Sequence, residues 1–130
     1  MRVLSILEEF EYENVPAMIN TVAQPTGHAR ELTAMLRALS NLVRENLLSM
    51  CVDTDAEGYI ASLAKEASLE VIREMGSYVV FDNARGIWTN TRLKGPPFGM
   101  PFPLMLATKE AQGIGREILR VRGYKWWALN

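Results

Sequence analysis

Arg30, Arg37 and Arg44 recur at intervals of seven, with Thr33 and Asn41 between them, in a stretch from His28 to Leu48 that has no proline or glycine. At about 3.6 residues per turn, an interval of seven returns to nearly the same side of a helix, so these five side chains share one face. A guanidinium fork matches a phosphate or the acceptor edge of guanine, an Asn amide matches adenine, and Thr adds a short hydroxyl. Such a row suits duplex DNA, with Thr33, Arg37 and Asn41 at base edges and Arg30 and Arg44 on phosphates. Nothing comparable points to catalysis. His28 has no Ser or Cys near it in sequence, and neighbours such as Glu8 and Glu9 diverge on a helix. One His and one Cys fall short of a zinc site, and Cys51 is expected to be a buried structural thiol. Gly113 and Gly115 lack the third glycine and the preceding strand of a nucleotide loop. No enzyme activity and no cofactor are expected.

The elements that must position the arginine row can be read from periodicity. Leu32, Met35, Leu36, Leu39, Leu42 and Val43 supply the buried side of the same helix, which starts at His28 or as late as Thr33. Upstream, Val3, Leu4, Ile6, Leu7 and Phe10 predict an amphipathic helix over Met1 to Tyr12. Asn14-Val15-Pro16 signals the start of a second helix running to Ala23, and Gln24 to Gly27 breaks it. Downstream, Leu47 to Val52 reads as a strand, Asp53 to Gly58 as a polar turn and Tyr59 to Leu63 as the returning strand.

Three helices followed by a hairpin is the order of a winged helix-turn-helix. The run from Arg37 to Leu48, ArgAlaLeuSerAsnLeuValArgGluAsnLeuLeu, resembles the recognition-helix exit of winged helix-turn-helix regulators of the MarR-like and PadR-like kinds. Asn46 stands where those families carry a glycine, and Asn also tolerates the left-handed conformation that ends a helix. The resemblance spans residues 1–64. It implies a DNA-binding transcriptional regulator whose third helix enters the major groove and which dimerises through helices outside the reading head. Asp53, Asp55 and Glu57 make the first wing acidic, which opposes a grip on phosphates.

Residues 65–130 are expected to pack on this core or form a dimer interface. A helix runs from Leu63 to Gly76, with Ser68 as a second start; Tyr78 to Phe81 and Ile87 to Thr89 form a second hairpin around Asp82 to Gly86. Leu93 to Pro103 is too rich in Pro and Gly for regular structure, and its Phe98 and Phe102 could overlie a small-molecule effector pocket. A last helix from Thr108, its cap, to Val121 directs Ile114, Ile118, Leu119 and Val121 inward, with its glycines permitting close helix contact. Trp126 and Trp127 are expected to pin the C-terminus to the core or to a second subunit. The expected fold is therefore α+β: a winged helix-turn-helix with an added hairpin and C-terminal helix.

Charge divides the chain. Residues 1–82 carry six basic against thirteen acidic side chains, −7, and residues 83–130 eight against two, +6. The basic half adds Arg85, Arg92 and Lys94 as phosphate contacts for DNA. The same asymmetry supports an alternative, a winged-helix-like protein-interaction module in which opposite halves pair within or between copies. No apolar run approaches a membrane span of about 18 residues, so a cytoplasmic protein is expected, and the resemblance implies a homodimer.

Overall fold

The computed structural model describes residues 2–10, 12–22, 24–53, 60–90 and 104–126. Helix α1, Arg2–Phe10, buries Val3, Leu4, Ile6 and Leu7. It is shorter than its periodicity predicts, because Tyr12, expected in the helix, belongs instead to strand β1, Tyr12–Asn14, which pairs with a distant strand. The Ala17 N–H donates to the Asn14 side chain at 2.8 Å, capping α2, Val15–Val22, with Pro16 in the first turn as expected.

Helix α3, Ala29–Arg44, takes the early start, so Arg30 lies inside it. His28 holds the cap position without a side-chain bond, and its exposed ring has no part in the start. The stop is a Schellman motif: the Leu47 N–H donates to the Leu42 carbonyl at 2.9 Å and the Asn46 N–H to the Val43 carbonyl at 3.0 Å. Asn46 has φ 63°, the left-handed conformation its place in the sequence implied.

Strands β2, Leu48–Asp53, and β3, Ile60–Ser62, form the first hairpin; its turn lies outside the described residues. The next helix, α4, Lys65–Glu74, ends in a single 3-10 turn at Met75–Ser77. Ser68 does not start α4. It is buried within it, accepting from the Met50 N–H at 3.1 Å and donating to the Leu63 carbonyl at 3.3 Å, which ties α4 to the hairpin. Strands β4, Val79–Asp82, and β5, Ile87–Asn90, make the second hairpin. Its turn closes as expected, with the Asp82 carboxylate accepting from the Ala84 and Arg85 N–H groups and Gly86 at φ 69°.

Strand β6, Leu104–Ala107, is an addition to the sequence reading, which placed a loop running to Thr108 there. It lies between β1 and β2, so the antiparallel sheet has the order β1-β6-β2-β3. Residues 104–107 thus supply a middle strand to a sheet otherwise built from residues 12–62. Met50 and Met105 face each other across β2 and β6 and are fully buried, with Leu48 and Ala107 beside them. One hydrophobic core joins this face to α1 through α5.

Helix α5, Lys109–Arg122, is capped by Thr108, which accepts from the Ala111 N–H and donates to the Asn46 carbonyl at 2.9 Å. Its buried side is Ala111, Gly115 and Leu119, whereas Ile114 and Val121, expected inside, are 39% and 67% exposed. The reason is the approach of α1: a Cβ on Gly115 would lie 2.8 Å from the Leu4 carbonyl oxygen. Only glycine fits at position 115, so this edge of α5 turns inward with Ala111 and Leu119, and Ile114 and Val121 are rotated outward. Gly113, by contrast, has open space around it.

Acidic and basic halves meet along the α1–α5 seam, where Arg116 pairs with Glu8 at 3.5 Å. The Trp126 indole N–H donates to the Ser5 hydroxyl at 2.9 Å, and the Arg122 guanidinium stacks 4.6 Å from its ring. Trp126 therefore pins the C-terminal end to its own α1; Trp127 lies outside the described residues. No described helix is long and apolar enough to cross a membrane.

Candidate nucleic-acid interface

Helix α3 buries Met35, Leu39 and Val43 against the core, which fixes the direction of the opposite side. Arg30, Thr33, Arg37, Asn41 and Arg44 all stand exposed there, on the one face that their spacing predicts. Arg44 donates to the Asn41 side-chain oxygen at 3.3 Å, and the Thr33 hydroxyl donates to the Ala29 carbonyl at 3.2 Å. Among the described residues, neither Arg30, Arg37 nor Arg44 pairs with a carboxylate. Arg73, Arg85, Arg116 and Arg120, in contrast, are paired with Glu70, Asp82, Glu8 and Glu117.

Glu31, the acidic residue within the row, faces away from it. Its carboxylate accepts the Thr26 and Gly27 N–H groups at 3.0 and 2.8 Å and the Trp88 indole N–H at 3.2 Å. Burial pushes this carboxyl up, but the donors from Thr26, Gly27 and Trp88 outweigh burial and hold its pKa below the ordinary value. The bonds also join the α2–α3 connection to the second hairpin. Gly27, at φ 89°, lies so close to the Phe81 ring that a Cβ would come within 2.6 Å of it. Phe81 in turn meets Trp88 edge to face at 5.5 Å. The hairpin thus sets the entry into α3, and with it the pose of the arginine row.

Three of the cations converge. Arg37 and Arg44 of α3, together with Arg73 of α4, line a groove of about 270 Å³ that also takes in Ser40 and the apolar Leu36, Leu69 and Ile72. Lys65, at the head of α4, donates to the Arg44 carbonyl at 3.3 Å. Arg73 and Ser40 were not singled out by the sequence. Arg73 stands 36 positions after Arg37, three after an acidic partner, which reads as an ordinary solvated helix pair.

The remaining basic residues assigned to phosphates are placed differently. Arg85 sits in the β4–β5 turn, 3.7 Å from the Asp82 carboxylate, and does not line the α3–α4 groove. Arg92 and Lys94 lie outside the described residues, as do most of the acidic wing tip and the Leu93 to Pro103 loop. A largely apolar cavity of about 410 Å³ opens elsewhere, between α1, α2 and α3, lined by Val3, Ile19, Val22 and Met35 together with Arg2 and Glu31.

Cys51 is fully buried between Ser49 and Ser62, and burial pushes its thiol pKa up, with the Ser62 and Ser49 contacts opposing more weakly. That environment disfavours the thiolate a nucleophile needs. Among the described residues no group of His, Cys, Asp and Glu is placed to hold a metal ion. Compared with protein-family models, with curated proteins and with solved structures, the chain matches none.

Proposed function

We propose that this protein is a winged-helix DNA-binding protein, a transcriptional regulator that reads duplex DNA with α3. The observation that carries the reading is the outer face of α3: three guanidinium groups with Thr33 and Asn41, none of the three joined to a carboxylate among the described residues. Four other arginines, Arg73, Arg85, Arg116 and Arg120, each have a carboxylate neighbour, so the three on α3 stand apart from them in leaving their charge open to an anionic partner. The helices α1, α2 and α3 followed by the β2–β3 hairpin also keep the order of a winged helix-turn-helix. The acidic wing tip weighs the other way, so affinity rests on helices rather than on the wing.

A titration of random duplex DNA, followed by fluorescence anisotropy at two salt concentrations, tests the proposal. The natural chain should bind, weaken steeply with salt, and lose most affinity in the Arg37→Ala, Arg44→Ala double variant. Absence of binding at low salt overturns it.

A second reading, an interaction module, is favoured by the outer side of α5. Ile114, Ile118 and Val121 fall at helical spacing there, with Ile114 and Val121 exposed. The same stripe would serve a regulator as its dimer seam. Sedimentation of the natural chain against Val121→Glu checks this: a dimer that dissociates in the variant supports self-association through α5.

A further inference from the structure

We infer that the groove between α3 and α4 is a seat for a phosphate group, held by the forks of Arg37, Arg44 and Arg73 and by the Ser40 hydroxyl. The inference rests on the DNA reading in that a backbone phosphate is the occupant it supplies. A phosphorylated small molecule would present the same chemistry.

Arg37, Arg44 and Arg73 line one groove, so like charges are gathered around it, and only one of the three, Arg73, has a carboxylate partner among the described residues. An anion in the groove offsets that charge, and a phosphate oxygen pair matches the two parallel N–H bonds of a guanidinium fork. The Arg73 pair with Glu70, 2.7 Å long with side chains 75% and 55% exposed, lies in water and is easily exchanged for a more highly charged partner. Leu36, Leu69 and Ile72 give the groove apolar lining, which lowers the local dielectric and strengthens a charge-assisted bond. Taking about 30 Å³ as the share of one water, 270 Å³ admits a phosphate group with part of its hydration. The seat also reassigns Arg37: lining this groove with Ser40 and Arg73, it grips backbone rather than reading a base edge.

The test titrates inorganic phosphate into the isotopically labelled full chain at ionic strength held constant with chloride, following the Ser40 amide and the arginine Nε–H signals by NMR. Saturable shifts at Ser40, Arg37, Arg44 and Arg73, abolished by Arg73→Gln but kept by the control Arg120→Gln, whose arginine lies on α5 outside the groove, are the expected result. Each variant is first checked for an otherwise unchanged spectrum. In parallel, the slope of log affinity for random duplex DNA against log salt should fall by about one in Arg73→Gln, which assigns the seat to the nucleic-acid backbone. Saturable phosphate binding with no DNA binding by the natural chain keeps the seat, assigns it to a phosphorylated small molecule, and removes the DNA reading. No saturable shift, together with a DNA salt slope unchanged by Arg73→Gln, overturns the seat and leaves the DNA reading standing.

Discussion

The side-chain amide of Asn20 makes with Trp88 both hydrogen bonds that a neighbouring strand would make. The Trp88 N–H donates to the Asn20 oxygen at 2.9 Å, and the Asn20 nitrogen donates to the Trp88 carbonyl at 3.0 Å. A two-stranded ribbon has marginal stability alone, so this clasp, with the Glu31–Trp88 bond, makes the second hairpin part of the helical core. Asn20→Ala leaves both backbone groups of a buried residue without their partner. We expect a loss of about 2 kcal/mol in urea unfolding, and faster amide exchange across residues 79–90. Asn20→Asp keeps the acceptor but sets a carboxylate oxygen against the Trp88 carbonyl, so at neutral pH it should destabilise at least as much as Asn20→Ala.

The two glycines of α5 should respond with opposite sign. Gly113→Ala fills open space and gains helix propensity, so stability should rise by about 0.5 to 1 kcal/mol. Gly115→Ala gains the same propensity but drives a methyl to 2.8 Å from the Leu4 backbone oxygen, which cannot rotate away. Separation of α1 from α5 should then cost about 1 to 3 kcal/mol, read as a lowered thermal midpoint. Equal effects at both positions would contradict the seam.

Glu31 sets a pH dependence. Its pKa is depressed in the folded state, so the unfolded chain binds the proton more tightly. The contribution is complete above the unfolded value of about 4.3 and is lost as pH falls through the lower folded value. The stability difference between the natural chain and Glu31→Ala should therefore be constant from neutral pH down to about pH 5 and shrink below it. A difference that grows on acidification would contradict the assignment.

Cys51 should be inert in the folded protein. Its burial and raised pKa leave little thiolate and no access, so alkylation by iodoacetamide at pH 8 should run at least about tenfold slower than in denaturant. A native rate equal to the unfolded one would place the thiol at the surface.

What the sequence determined by itself is the local order of this chain. The sides of α3, its Asn46 stop, the Asn14 and Thr108 caps and the Asp82 to Gly86 turn were legible because each depends on residues within one or two turns of one another. The arginine row was legible for the same reason. Strands β1 and β6 were not: three and four residues long, they exist only because each has a distant partner, and Leu104–Ala107 carries no alternation of its own. The rotation of α5 was decided by contact as well. Hydrophobicity alone favours burying Ile114 and Val121, but the Leu4 carbonyl admits only a glycine at the seam. Likewise, Arg73 joins Arg37 and Arg44 only when α4 packs beside α3, a relationship that no spacing along the chain encodes. Local hydrogen bonds and periodicity chose the elements; packing chose which faces met.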